Sequence, residues 1–345
     1  GLIAHRLTGR FAFDYTLAAR TFAFRLDTRT WDADWIRSFG LQEALFPDVL
    51  PSGQTVGRVR AEVSGRTGLP AGVPVAIGGH DHVCAALAAG AFAPGQVYDS
   101  MGTAETLVGS FPERPLTRDD FESGLSFGLH IVPGMNFWMG GNSASGGSIE
   151  WIRRQLGDEP VSYEAMLSWL EKADSEPTGI FFYPYLSGSG APMPDSGARA
   201  AWIGLTKNHS RTELVQSILE GTAYQLEAIR RCAERVGGRA IETMRVVGGG
   251  TRIASWLQIK ADVTGCRLEL PAIHEATMLG AALAAGIGCG LYASAEEAVR
   301  AVGGGASRWI EPNPERHRRY RRLYEDGYDA LQQALRETYA RLKDL

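Results

Sequence analysis

A chain of 345 residues is long enough for two domains and too long for one ordinary hydrophobic core. Its 35 basic and 39 acidic residues leave a formal net charge of −4, which argues against the basic stripe of a nucleic-acid binder. No apolar run approaches the roughly 20 residues that a membrane-spanning helix needs. The opening GLIAHRLTGRF also lacks a signal-peptide core, so a soluble, cytoplasmic protein is expected.

Taken in chain order, TFAFRLDTRTWDADWIRSFG reads as strand, turn and an amphipathic helix with Trp31, Trp35 and Ile36 on one side, ending at Gly40. PVAI at 74–77 is a short apolar strand; Gly78 and Gly79 then release the chain into a helix running from about Asp81 to Gly90. QVYDSMGTAETLVGSF predicts two strands around a glycine-threonine turn, and MNFWMGG a third. Helices follow in GGSIEWIRRQL and around Tyr163 to Lys172, with short strands in IFFYPYL and AAWIGL. A long helix covers Ser210 to about Val236. A strand at Thr243–Val247, a turn at Gly248–Gly250 and a helix from Ala254 to Thr264 come next, before a strand in CRLEL and a helix of small residues. The last thirty or so residues predict an amphipathic surface helix. Strands alternating with helices point to an α/β sheet covered on both faces, with a domain boundary near Pro94 and Gly95.

Three places could carry chemistry. Asp81 follows two glycines at a helix start, where a carboxylate can take a proton from a substrate hydroxyl; position alone favours an N-cap role for it. The turn MGTAE offers amides and a hydroxyl to a phosphate oxygen, and a plain hairpin turn explains it equally well. In VVGGGTRIASW a strand ends in three glycines before a helix, which lets a flat ligand lie against bare backbone. The G-x-G-x-x-G and G-x-x-x-x-G-K-[ST] spacings are absent, which disfavours a Rossmann dehydrogenase and a Walker-type ATPase. No G-x-S-x-G nucleophile elbow stands at a strand-to-helix turn either. Cys84, Cys232, Cys266 and Cys289 are scattered without a C-x-x-C pair and are read as buried thiols. The remaining histidines, His5, His130, His209, His274 and His317, stand apart from one another, so no protein metal cage is expected.

The order of these elements, an acid after a glycine pair, a G-T turn between strands and a glycine-rich turn more than a hundred residues later, resembles the FGGY family of carbohydrate kinases, and its xylulokinase-like branch most. The likeness runs through HRLTGRFAFDYTLAART, GGHDHVCAALAAGAFAPGQVYDSMGTAE, YPYLSGSGAPMPDSGARAAWIGLTKNHSRTELVQSILEGTAYQL and VVGGGTRIASWLQIKADVTGCRLELPAIHEATMLGAALAAG. It implies an actin-like, ribonuclease H-like α/β ATPase fold in one partial and one complete domain. Residues 1–93 would be a remnant of the sugar-binding N-terminal FGGY domain, and 94–345 the nucleotide-binding C-terminal domain. It further implies Asp81 as catalytic base and His82 beside the sugar. Gly102 and Thr103 would hold ATP phosphates, Gly146 and Gly147 would flank the nucleotide, and Gly248, Gly249 and Gly250 would form the adenosine wall. ATP and Mg2+ are the implied cofactors, and a small sugar or polyol the acceptor.

Three positions depart from the family's habit: His82 where a glutamine or asparagine is usual, Ala104 in place of a small polar residue, and Ile253 in place of a ribose-contacting polar one. The D-x-G-T element that opens family members is also not found, so the chain is expected to be the C-terminal two-thirds of a longer kinase. Two readings therefore stay open: a pentulose-type carbohydrate kinase, or a catalytically inactive actin-like nucleotide-binding or regulatory module. The exposed edges and the C-terminal helix are read as surfaces for a homodimer, and the missing segment as a further partner.

Overall fold

The structure is a computed structural model, and it describes residues 1–172, 176–303 and 305–342. The first eighty residues carry short elements: α1 (Leu2–Thr8), β1 (Ala12–Asp14), α2 (Tyr15–Ala18), β2 (Phe24–Arg25), β3 (Thr30–Trp31), α3 (Ala33–Ser38), β4 (Asp48–Leu50), β5 (Thr55–Arg58), α4 (Ala61–Thr67) and β6 (Pro74–Ala76). Their strands form only two-stranded pairs: β1 with β4, β2 with β3, and β5 with β6. Ala4, Ala12, Val56 and Ile77 are the buried core of this part. The helix expected near Trp31 begins later. Trp31 lies in β3, and Asp32 caps α3 by accepting from the Trp35 amide at 2.9 Å. Only Ile36 of the expected apolar face is buried, whereas Trp35 is about half exposed.

The remainder is built on one sheet. After α5 (Asp81–Ala88) come β7 (Gln96–Met101), β8 (Glu105–Pro112), α6 (Arg118–Glu122), β9 (Ser126–Leu129), β10 (Met135–Asn142), α7 (Ser145–Arg153), α8 (Tyr163–Lys172), β11 (Phe181–Tyr183) and β12 (Ala201–Ile203). Then follow α9 (Arg211–Gly237), β13 (Thr243–Val247), α10 (Ala254–Thr264), β14 (Arg267–Leu270), α11 (Ala276–Gly288), α12 (Ala295–Val302), β15 (Arg308–Ile310), α13 (Pro314–Leu323) and α14 (Asp329–Leu342). Seven strands form a mixed sheet in the order β15-β14-β13-β7-β8-β10-β9, with β13 parallel to both β7 and β14 and the other pairs antiparallel.

Both faces of this sheet are covered, as the alternation of buried side chains requires. Val97, Met101, Leu107 and Val246 point to the face packed by α9 and α10. Tyr98, Val108, Phe137 and Met139 point to the face packed by α5, α11 and α12. Thus α5, which precedes the expected boundary in sequence, packs as part of the second layer. β9 is a strand that the periodicity does not announce, since Gly128 interrupts it where the Phe137 ring crosses.

The C-terminal segment also departs from the simple surface helix. A π-helical turn, Tyr324–Tyr328, separates α13 from α14, and Tyr320, Tyr324, Tyr328 and Tyr339 are buried in the main core. Tyr320 donates to Glu220 of α9 at 3.0 Å, which satisfies a polar tip inside an otherwise apolar contact. Three cysteines are buried as expected, but Cys289 is exposed, because it follows the end of α11.

His130 is buried beyond the end of β9, and that burial pushes its imidazole down to about 4. Its Nδ1 accepts from the Val132 amide at 3.0 Å, leaving Nε2 with no partner. The unfolded chain takes up this proton near pH 6.5. The contribution is therefore complete above that pH and declines as pH falls toward 4, by on the order of 3 kcal/mol. Glu220 acts oppositely: burial raises it to about 7, so its contribution is lost as pH rises from the ordinary carboxylate range to 7. The difference in melting temperature between wild type and His130→Asn isolates the histidine. That difference should shift against wild type as pH drops from 7 to 5.

Candidate active site

β7 and β13 run parallel and finish side by side, and each ends in a glycine turn. Gly248 has φ +100°, and a Cβ there would stand 2.5 Å from the Met101 carbonyl oxygen, so only glycine lets the two strand ends meet. The N-termini of α7 and α10 lie at this same end, which gathers the positive ends of two helix dipoles at one place.

A cleft of about 1000 Å³ opens there. Met101, Gly102 and Thr103 form its floor with Gly146 and Gly147; Trp151 and Tyr163 stand on one side, and Gly249, Gly250, Ile253 and Trp256 on the other. Glu150, Arg154 and Arg252 also line it. The aromatic and glycine walls suit a flat, weakly polar ring. At the floor, Gly102, Thr103 and Ala104 are exposed, and the Thr103 and Ala104 amides and the Thr103 hydroxyl make no hydrogen bond among the described residues. Such unused donors beside helix N-termini suit an anion.

Gly146 and Gly147 play a different part from the turn they adjoin. Their amides already donate to the carbonyl oxygens of Gly102 at 3.1 Å and Thr103 at 2.9 Å. They hold the turn in place and present little more than Cα surface to the cleft. Gly249 leaves open space where its side chain would be, so it is a bare wall, whereas a Cβ on Gly250 would meet Met101 and Trp256 at 2.9 Å.

Asp81 is the first residue of α5, and the capping position belongs to His80. Asp81 Oδ1 accepts from its neighbour's amide, His82 N, at 2.8 Å, and lies 2.9 Å from His80 Nδ1. His80 Nδ1 also stands 3.3 Å from His82 N; the shorter contact to Asp81 takes that amide, leaving the imidazole N–H to point at the carboxylate. One oxygen is thereby oriented, and the Asp81 side chain stays 65% exposed, open to a solvent-borne group. Burial pushes both His80 and His82 below the ordinary imidazole range. The His82 ring lies near that of Tyr98 of β7, at 6.2 Å between centroids, which ties the start of α5 to the strand that ends just before Gly102. Thr277 Oγ1, in the first turn of α11, donates to the Asp81 carbonyl at 3.4 Å.

The start of α5 is also tied to the first eighty residues. His80 N donates to Thr16 Oγ1 at 2.6 Å, and Thr16 Oγ1 donates to Asp14 Oδ1 in a short bond. Ser52 Oγ donates to the same oxygen at 3.1 Å. Burial raises the Asp14 carboxyl, and its hydrogen bonds oppose that rise.

The two domain models of the FGGY family of carbohydrate kinases match this chain, the C-terminal domain over residues 97–289 and the N-terminal domain over residues 1–88. The chain belongs to the FGGY family. It is 28% identical over 319 residues to a xylulose kinase of Lactococcus lactis, covering 92% of this chain and 63% of that protein. It is 32% identical over 307 residues to a glycerol kinase of Citrifermentans bemidjiense, covering 89% and 60%. A crystal structure of a xylulose kinase from Rhodospirillum rubrum superposes with a TM-score of 0.85 at 27% identity, over 98% of this chain and 67% of that one. The chain thus spans under two thirds of the length of these two curated relatives. The FGGY architecture is the actin-like ATPase fold expected from the sequence. The expectation of a match to the C-terminal two-thirds alone is corrected, because the N-terminal domain is represented from residue 1.

The structure brings Gly102, Thr103, Gly146, Gly147, Gly249 and Gly250 to one cleft, while Gly248 is where the two strand ends make close contact. Asp81 and His82 lie outside that cleft, at the start of the helix behind β7. Sequence reasoning passed over Asp14, Thr16 and His80, which orient the start of α5. The segment FDYT does carry a signal, since an aspartate two residues before a threonine is an Asx-turn pattern. It also passed over Glu105, Lys260 and Asp99, discussed below. The other large groove, about 930 Å³ between α9 and the C-terminal helices, holds none of the predicted residues. Its Arg230 and Arg231 are already paired with Glu227, Glu234 and Glu325.

Proposed function

We propose that this chain carries the phosphoryl-transfer site of a carbohydrate kinase that moves the γ-phosphate of ATP to a hydroxyl of a small sugar or polyol, of the pentulose type. The observation that carries the reading is the exposed Gly102–Thr103 turn with unused donors, set on the floor of a cleft with flat walls. In this reading residues 94–345 bind the nucleotide and residues 1–93 contribute to the sugar side. Adenine and ribose lie along Gly249, Gly250 and Ile253, and the phosphates reach the Thr103 amide and hydroxyl. Asp81 accepts the proton of the attacking hydroxyl, with His80 and the His82 amide holding its carboxylate in one orientation. His82 borders the sugar.

The names of the relatives, xylulose kinase and glycerol kinase, support the acceptor class. Phosphoryl transfer asks the protein mainly for position and charge stabilisation, which fits a site made of backbone donors and one acid. Among the described residues no group of three or more His, Cys, Asp or Glu side chains is gathered for a metal. A magnesium ion carried on ATP phosphates needs only one or two carboxylates from the protein, and no residue of this chain is assigned to it. When bound, that ion neutralises charge on the phosphates.

Gly249→Phe tests the cleft. Open space surrounds a Cβ at this position, so the fold should tolerate the ring. The ring would occupy the nucleotide's place, and loss of that stacking and contact area predicts ATP affinity weaker by about tenfold or more by calorimetry. The melting temperature should stay unchanged. Wild-type ATP affinity in this variant would place the nucleotide elsewhere.

A further inference from the structure

Glu105 opens β8 directly after the turn and is buried, opposite Met101 of β7 and Asn142 of β10. Its carboxylate reaches two other walls of the cleft. Oε2 accepts from Ser145 Oγ at 2.7 Å, at the first residue of α7, and Oε1 is paired with Lys260 Nζ of α10 in a short contact. Lys260 is fully buried, with its ammonium 5.1 Å from the ring of Trp256, which lines the cleft. Asp99 lies buried in the same group beside Glu105, and its burial and the nearby Glu105 carboxylate push its carboxyl well above the ordinary range.

A buried lysine facing buried acids is costly to desolvate and is kept only where its partners are fixed. Here the fixed partner joins three segments that each contribute to the cleft: the 102–104 turn, the start of α7 and the helix that follows Gly248–Gly250. The three segments otherwise contribute apolar side chains, Met101, Leu107, Ile149 and Leu257 among them, to the main core.

We propose that Glu105 and Lys260 are positioning residues for the phosphate turn: the pair sets the height and orientation of Gly102–Thr103 relative to the glycine wall, so that Thr103 meets the ATP phosphates. The inference rests on the kinase reading above, and it assigns the pair no contact with substrate. A positioned group displaced by about 1 Å can cost up to about a hundredfold, so the effect should appear in ATP affinity and not in sugar affinity.

The test uses the 345-residue chain, with Mg-ATP and a pentulose as separate calorimetric probes and melting temperature as the control for folding. Lys260→Met and Glu105→Gln singly should lower the melting temperature, because each strands a buried charge or breaks a buried pair. The double variant Glu105→Gln/Lys260→Met removes both charges and should recover most of the melting temperature. It should still bind ATP about tenfold or more weakly, with sugar affinity kept. Ser145→Ala, which removes one bond and no charge, should weaken ATP severalfold and decides the matter if the double variant does not fold. Wild-type ATP affinity in the double variant or in Ser145→Ala overturns the proposal, as does an equal loss of ATP and sugar affinity. Failure of the wild-type chain to bind ATP at all overturns the kinase reading, and this inference with it.

Discussion

Asp81→Asn should lower sugar phosphorylation by roughly 10²–10⁴-fold, the range expected for removal of a general base, while ATP binding persists. The substitution keeps the shape of the side chain. Its amide oxygen can still accept from the His82 amide, as Oδ1 does at 2.8 Å, and the bond from the His80 amide to Thr16 Oγ1 is untouched. What disappears is the second, solvent-facing oxygen, which takes the proton in the proposed reaction. Because the residue is exposed and the variant keeps an acceptor for the His82 amide, folding should be almost unaffected. Turnover assays with parallel ATP titration check this. Retained turnover would remove Asp81 from the mechanism.

Gly280→Ala should destabilise the protein by several kcal/mol, at or above the roughly 1–3 kcal/mol usual for overpacking a core, and should also reduce turnover. A Cβ at Gly280 would stand 1.8 Å from the Cys84 carbonyl oxygen, and 3.0 Å from its Cα. The obstacle is backbone, so no side-chain rotation relieves it. The helix α11 must move away from α5, and α5 carries Asp81 at its start, where Thr277 of α11 also bonds. The same contact therefore sets both the stability of the layer and the placement of the acid. Gly237→Ala is the control, since nothing lies within 4 Å of a Cβ there, and a helical glycine replaced by alanine gains up to about 1 kcal/mol. Urea unfolding midpoints compare the two variants.

The parts of the fold that the sequence announced are those where local chemistry and tertiary packing agree. The strand, glycine turn and helix over Thr243–Thr264 are legible because β-branched residues, a triple glycine and a helical period succeed one another within a few positions. The hairpin over Gln96–Pro112 is legible for the same reason. Residues 1–80 read less well, because strands of two or three residues do not establish a period. The C-terminal tyrosines read as surface residues because arginines and glutamates surround them, yet a few residues per turn suffice to bury one face.

The site divides in the same way. Glycines beside strand ends can be found one motif at a time, and their order pointed to the family. The Glu105–Lys260 pair cannot be found so, since 155 positions separate its members and each looks like an ordinary charged residue in its own segment. Only the closure of α10 onto the sheet reveals that both are inside. The role of Asp81 turns on a similar point: a helix-start aspartate usually caps, and here His80 has that position, which leaves the acid's outer oxygen free.

The most direct measurement is transfer of label from γ-labelled ATP to a panel of pentuloses and polyols, with wild type and Asp81→Asn run side by side. The proposed reading predicts sugar-dependent transfer by wild type to at least one acceptor, and loss of that transfer in Asp81→Asn at unchanged ATP affinity. Binding of ATP with no transfer to any acceptor, or equal transfer by both proteins, would contradict it.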